Sequence, residues 1–561
     1  MLVVLPVLGC AAAPSPGGGV NGRFMVSVAH PLAAHAGAEI LRAGGTAVDA
    51  AIAVQAALTL VEPQSSGIGG GAFLLHYRKA DGRIDAYDGR ETAPAALDPG
   101  HFLKDDGTAR AFRDAAAGGQ AVGVPGVIRM LEQAHVEHGR LPWRLTFAPA
   151  IELASGGFQV TPRLNRMIGH ATGLADFPAA RAYFLTPDGA PPPIGFVLRN
   201  SALAHTLRRI AAGGAAAFYE GEIAADIARA VRAAARNLGA MTRADIAGYR
   251  AKKRDVLCRP YRVWRVCGMP PPTSGGIAVH QILGLLERFP SARVAPGTPE
   301  AVHLFAEAMR LAYADRARYV GDPDFVDVPV DGLLDSAYLA GRAAQISADR
   351  RMERVSPGKP RGVQDAYAPG GEAAYPSTSH FAVVDGDGNA VSMTTTVERA
   401  FGSYILVRGF LLNNQLTDFA FRPRRDGRVL ANAAAPGKRP RSSMSPTLIF
   451  DVDGRLFAAV GSPGGRRIIG YVAKTVVGLL DSGLPMQKAI DLPNIAIGRG
   501  VIEIEPKAGE AVVAGLRARG HTVRIRALVS GLHGIRIAKR GFDGGADARR
   551  EGVVMEGSVA R

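Results

Sequence analysis

YPSTSHFAVVDGDGNAVSMTTT, residues 375–396, reads as two alternating apolar runs on either side of a turn. The turn is DGDGN, 385–389, a composition that favours a tight hairpin connection. If the hairpin is centred on Asp387, Thr378 stands nine residues before the centre and Thr396 nine after it. The two threonines then face each other. Directly opposed side chains have Cβ atoms about 4.5–5.5 Å apart, within reach of a hydroxyl–hydroxyl contact. A Thr–Thr pair suits any sheet, and a slip of one residue would separate the two. The other reading makes Thr378 a nucleophile, with the chain cut in front of it.

Outward from this hairpin the chain runs strands, helices, strands. Residues 31–60 form two helices broken at AGG, VEPQSSGIGGG (61–71) is a loop, and AFLLHYRK and RIDAYDGR are strands, the second ending at Arg90. Apolar 3–4 spacing predicts helices through 125–250 and over PEAVHLFAEAMRLAYADRARYVG. YRVWRVCGMPPPTSGG reads as a strand then a turn, and 345–375 as a Gly- and Pro-containing surface segment. From 379 strands return in HFAVVD, AVSMTTTVE, GFLLNN and TLIFDVDGRLFAAVGS, followed by the helix RRIIGYVAKTVVGLL. That order implies helices layered outside two sheets.

The 561 residues are 47% hydrophobic, ample for a large core, and carry a formal charge of +16. The arginines are scattered rather than striped with aromatics, so the charge does not imply nucleic-acid binding. Of three cysteines, Cys258 and Cys267 flank the strand-like RPYRVWRV; they face each other across a hairpin or are two buried thiols. No C-x-x-C and no H-E-x-x-H occur, so no metal site is expected. MLVVLPVLGCAAAPSPGGG resembles an export leader and linker over 1–21, and VLGC a lipobox that would place a lipid on Cys10. The expected location is therefore periplasmic or secreted, with a lipid anchor at most. No apolar run is long enough for a membrane span; AVDAAIAVQAALTLV carries Asp49 and Gln55 and reads as a buried helix.

TSHFAVVDGDGNAVSMTTT, FGS, LLNNQLTDF, GKRPRSSMSPT and GSPGGRRII resemble the small subunit of the γ-glutamyltransferase (glutathione hydrolase) family. EILRAGGTAVDAAIAVQAALTLVEPQSSGIGGGAFLLHY, DGRETAP and MPPPTSGG resemble its large subunit. The resemblance implies the N-terminal nucleophile hydrolase fold, an α+β four-layer αββα sandwich. It also implies a precursor cut between Ser377 and Thr378 into a large chain, 22–377, and a small catalytic chain, 378–561. The two fragments would stay together as a heterodimer, with no cofactor.

The chemistry needs a threonine that begins a chain. Its α-amine titrates near 7.7–8.0 and can take the proton of its own hydroxyl. Thr378 would attack the γ-carbonyl of glutathione or another γ-glutamyl compound, with Thr396 holding the hydroxyl. Water, an amino acid or a dipeptide would then resolve the ester. The resemblance assigns Gly464 and Gly465 to the oxyanion hole. It assigns Arg90, Ser442 and Ser443 to the α-carboxylate, and Asp418, with Gln415 beside it, to the α-ammonium. A guanidinium fork suits a carboxylate. Glu398 departs from the family pattern, where Asn is common. On strand alternation it shares the face of Thr396 and could pair with the ammonium. The stretch AFRPRRDGRVLANAAAPG, 420–437, matches a segment that forms a lid in some members. It looks short and is read as lacking an aromatic, so the expectation is an open pocket that favours bulky donors or water as acceptor.

GIGGGA, 67–72, fits a dinucleotide fingerprint, but it lacks the strand before and the helix after that such a site needs. No G-x-S-x-G is present. His380 shares the face of Thr378 and is expected to be packed or hydrogen-bonded. Two alternatives stand beside the transferase: a glutaryl (cephalosporin) acylase on the same scaffold, and an uncleaved, inactive secreted homologue.

Overall fold

Strand alternation sorts the side chains of this chain into two cores. A computed structural model describes residues 22–363, 367–370, 377–498, 500–539 and 541–559. The leader over 1–21, with its lipobox at Cys10, lies outside the described residues, as do the linker's 364–366 and 371–376. A seven-stranded sheet has the order β13-β1-β7-β8-β2-β3-β4. Its strands are β1 (Arg23–Val28), β2 (Gly71–Arg78), β3 (Arg83–Gly89), β4 (Lys252–Arg254), β7 (Ser379–Val384), β8 (Ala390–Thr396) and β13 (Val553–Ser558). A six-stranded sheet has the order β12-β11-β10-β9-β6-β5. It comprises β5 (Leu257–Tyr261), β6 (Trp264–Gly268), β9 (Thr447–Phe450), β10 (Leu456–Gly461), β11 (His533–Ala538) and β12 (Gly541–Ala546).

On β7, Phe381 and Val383 point into a core under helices α1 (Pro31–Arg42) and α2 (Ala47–Val61). Ala382 and Val384 point into a second core, shared by both sheets. That core continues to helices α3 (Gly275–Leu286), α4 (Pro299–Tyr319) and α5 (Ile468–Leu480) beyond the second sheet. The result is the four-layer αββα sandwich. Burying a Phe or Val side chain is worth about 1.5–3 kcal/mol, and a one-residue slip would exchange every such side chain between the cores.

The register is the expected one: Ser379 faces Thr395 and Val384 faces Ala390, so the hairpin is centred on Asp387. The Asp385 carboxylate closes the turn by accepting N–H bonds from Asp387 and Asn389, and it also takes the Ala47 N–H at the start of α2. Helix α2 is buried along its whole length, and Asp49 forms a capping box with Thr46. Among the described residues no helix is long and apolar enough to cross a membrane.

Three expectations need correction. YRVWRV is not one strand: the chain turns at Arg262, whose φ is +54° and whose N–H is taken by Glu287. The turn sets Cys258 opposite Cys267, and the two are joined in a disulfide. In GFLLNN only Phe410–Leu411 is extended. The 345–375 segment is not wholly irregular, since Tyr367–Ala368 pairs with Val429–Leu430.

Candidate active site

The ends of the strands make the site. On β7 and β8 the even-numbered residues face the gap between the sheets, and Thr378 and Thr396 continue those rows to its mouth. Thr378 lies just before β7 with φ +90°. A β-branched residue in that region is strained, by roughly 1–3 kcal/mol. The chain is pinned on both sides of the Ser377–Thr378 bond. The Ser377 hydroxyl donates to the Gln64 carbonyl at 2.7 Å, and Arg550 Nη1 donates to the Thr378 carbonyl at 2.7 Å. Thr378 Oγ1 donates to Thr396 Oγ1 at 2.9 Å, and Thr396 Oγ1 also accepts the Glu398 N–H at 2.9 Å.

Gly464 follows β10, with φ 137° and ψ 17°. A Cβ there would lie 2.8 Å from the Tyr471 ring. Its N–H donates to the Ser377 carbonyl oxygen at 3.2 Å. The carbonyl nearest the Thr378 hydroxyl in sequence therefore already carries a backbone donor. Gly465 lines the cavity beside it.

That cavity, about 500 Å³, is also lined by Arg90, Thr378, Thr396, Glu398, Gln415, Asp418, Ser442 and Ser443. Arg90 emerges from the end of β3 and is fully buried. Its Nη2 donates to Asp418 Oδ2 at 2.6 Å and to the Arg441 carbonyl at 3.2 Å, and its Nε donates to the Pro440 carbonyl at 3.0 Å. Gln415 Nε2 donates to the same Asp418 oxygen at 2.8 Å from within one short 3₁₀ turn. Glu398 reaches the cavity, though not by strand alternation: β8 has ended at Thr396 and Glu398 has φ +79°. It is buried, and Asn414 Nδ2 donates to its Oε2. Burial, then the neighbouring Asp418 carboxylate, hold its carboxyl well above the usual carboxylate range.

The reading of 420–437 as lacking an aromatic is also corrected: its second residue is Phe421. Phe421, from the 420–437 stretch, lines the cavity and stacks on Phe102 at 4.4 Å, with Phe112 beside it. Its partners lie some three hundred residues earlier in the chain, so nothing local to 420–437 announces the stack. Arg110, Arg316 and Arg466 line the cavity too and were missed. Arg316 sits on an amphipathic helix where a cation ordinarily reads as solvated.

His380 is packed as expected: its Nδ1 lies 2.9 Å from Thr394 Oγ1 and its ring abuts Gly461. Gly69, Gly70 and Gly71 of GIGGGA have a steric reason. A Cβ on Gly70 would lie 2.0 Å from the Thr396 carbonyl oxygen, so the loop passes under the end of β8 only without one. Among the described residues one group, His76, Asp85 and His138, has ligand-type atoms within 4.8 Å of one another. Two features argue against a cation there. The two imidazoles are packed with centroids 4.0 Å apart, and Asp85 already holds Arg83 and Lys253, each at 2.9 Å.

A threonine hydroxyl at the mouth of an αββα sandwich, one residue before a core strand, is the arrangement of the N-terminal nucleophile hydrolase class. A sequence model described as Gamma-glutamyltranspeptidase matches residues 33–557, and the chain belongs to that family. It is 36% identical over 543 residues to the glutathione hydrolase proenzyme of Bacillus subtilis (strain 168), covering 95% of this chain and 91% of the relative. It is 38% identical over 564 residues to the acylase ACY 1 proenzyme of Pseudomonas sp. (strain SE83), covering 98% and 96%. Among solved structures, the cephalosporin acylase from Bacillus halodurans superposes with a TM-score of 0.85 at 28% identity, covering 99% of both chains.

Proposed function

We propose that the chain is the precursor of a self-cleaving γ-glutamyltransferase and glutathione hydrolase, with Thr378 as its nucleophile. The observation that carries this is the pairing of two contacts. The Thr378 hydroxyl rests on Thr396, and the Ser377 carbonyl rests on the Gly464 N–H. In maturation the Thr378 oxygen attacks the Ser377 carbonyl carbon, the negative charge collects on the oxygen that Gly464 holds, and the C–N bond breaks as the hydroxyl proton passes to the leaving Thr378 nitrogen. An ester and a free Thr378 amine result. Water opens the ester, leaving the Ser377 carboxylate as the end of the large chain. Relief of the Thr378 backbone strain favours the cut.

The freed amine then serves as base for the same hydroxyl. In catalysis the hydroxyl attacks a γ-glutamyl amide, and Gly464 and Gly465 hold the oxyanion. Arg90, Ser442 and Ser443 hold the α-carboxylate, and Asp418, Gln415 and Glu398 the α-ammonium. The ester formed passes to water, an amino acid or a dipeptide. The fragments stay together because the seven-stranded sheet interleaves them: β7 and β8, from the small chain, lie between β1 and β2 of the large one. The apolar leader supports export to the periplasm or beyond, and VLGC supports a lipid on Cys10.

A glutaryl acylase is the second reading. It is favoured by Asp418 being already paired with Arg90, and by the raised pKa of Glu398, which weakens the pull on an ammonium. A glutaryl group keeps the carboxylate and lacks the amine. Release of p-nitroaniline from γ-glutamyl and glutaryl anilides, with and without a dipeptide, decides between them. Faster γ-glutamyl turnover, raised further by the dipeptide, is expected. Turnover of the glutaryl anilide alone would establish the acylase, and turnover of neither would leave the inert homologue.

A further inference from the structure

Ser442 and Ser443 bind a carboxylate only if their hydroxyl protons point into the cavity. A serine oxygen whose lone pair already holds a donor has its own proton left to give. Ser442 Oγ accepts the Met444 N–H at 3.1 Å. Ser443 Oγ accepts from Arg316 Nη2 at 2.7 Å. The second contact crosses from helix α4, far from this loop in sequence. Arg316 is 6% exposed and also donates from Nε to Ser274 Oγ at 2.6 Å. Ser274 in turn donates its hydroxyl to the Ser442 carbonyl at 2.6 Å, and its N–H reaches the same oxygen at 2.9 Å. One guanidinium thus grips both serines, one through its side chain and the other through its backbone. Burial lowers the Arg316 pKa to about 10, which leaves it cationic at neutral pH.

We propose that Arg316 is the positioning residue of the carboxylate subsite, holding Ser443 Oγ as an acceptor so that its hydroxyl proton is directed at the substrate carboxylate, and adding a second positive charge behind the serine pair. This rests on the reading of Ser442 and Ser443 as carboxylate ligands, and not on whether the substrate is glutamyl or glutaryl.

Three anilides separate the roles: γ-glutamyl carries both carboxylate and ammonium, glutaryl the carboxylate only, and 4-aminobutyryl the ammonium only. In Arg316→Gln, KM for the γ-glutamyl and glutaryl anilides is expected to rise about tenfold, with kcat within threefold. kcat/KM for 4-aminobutyryl should change less than twofold, and self-cleavage should be complete. Arg316→Lys is expected to recover part of the loss, and adding Ser443→Ala to Arg316→Gln should cost little more than either change alone. An equal loss on all three anilides, an unchanged KM, or failure of both Arg316 variants to mature would overturn the proposal. If the wild-type protein hydrolyses none of the three, the functional reading fails separately. Calorimetric titration of the wild-type and Arg316→Gln proteins with glutarate still decides the role of Arg316: about tenfold weaker binding by the variant supports it, and equal affinity overturns it.

Discussion

The two walls of the cavity are built by different means. The wall that carries Thr378, the proposed nucleophile, is a regular hairpin, in which Thr378 meets Thr396 because every pair from Ser379–Thr395 to Val384–Ala390 is in register. The facing wall, 415–443, has little regular structure. It is held by side chains that satisfy loop carbonyls, above all Arg90 on Pro440 and Arg441 and Ser274 on Ser442. Strand periodicity places a group locally, at the cost of a fixed direction. A loop wall places groups in any direction, but it depends on buried donors from distant parts of the chain, and losing one leaves unpaired carbonyls.

The contrast can be broken from either side. Thr378→Ala removes the proposed nucleophile and leaves the sheet intact. It should give a single uncut chain on a denaturing gel and activity at background, and self-cleavage in this variant would refute the nucleophile wall as drawn. Arg90→Ala acts on the loop wall. It should mature, yet raise KM for γ-glutamyl anilide by tenfold or more, because both the clamp and three loop contacts are lost; an unchanged KM would sink the carboxylate assignment.

Glu398 bears on both walls and gives a pH signature. Its pKa is raised, so in the folded protein it is protonated above the usual carboxylate range. An ammonium pairs with the ionised form, so KM for γ-glutamyl anilide should fall as pH rises until Glu398 ionises. The glutaryl anilide should lack that slope, and Glu398→Gln should flatten it for the γ-glutamyl donor; steady-state KM between pH 6 and 9 measures this. The smallest effect on activity is expected from Cys258→Ser, in the β5–β6 hairpin and outside the cavity lining. kcat/KM should stay within twofold while thermal stability falls, since the bridge closes a short loop worth at most about 3 kcal/mol.

The same contrast governs what could be read in the sequence. Apolar alternation and DGDGN carry the hairpin register, and the strand–helix–strand order carries the layering. Arg90, Asp418, Ser442 and Ser443 were found by resemblance to a family, since a loop serine or a strand-end arginine has no pattern of its own. Arg316 and Phe421 escaped both routes. Their partners, Ser443 and Phe102, lie more than a hundred residues away, and periodicity carries no such information. Glu398 lines the cavity, but not for the reason expected, since the strand stops before it. The strands β1 and β11–β13 went unread, although β1 lies inside the first sheet and β13 at its edge.

The most direct test is N-terminal sequencing of the smaller fragment from freshly purified, active protein. Thr-Ser-His-Phe is the expected series, beginning at Thr378. Any other first residue, or full activity in a chain that never divides, would contradict the account.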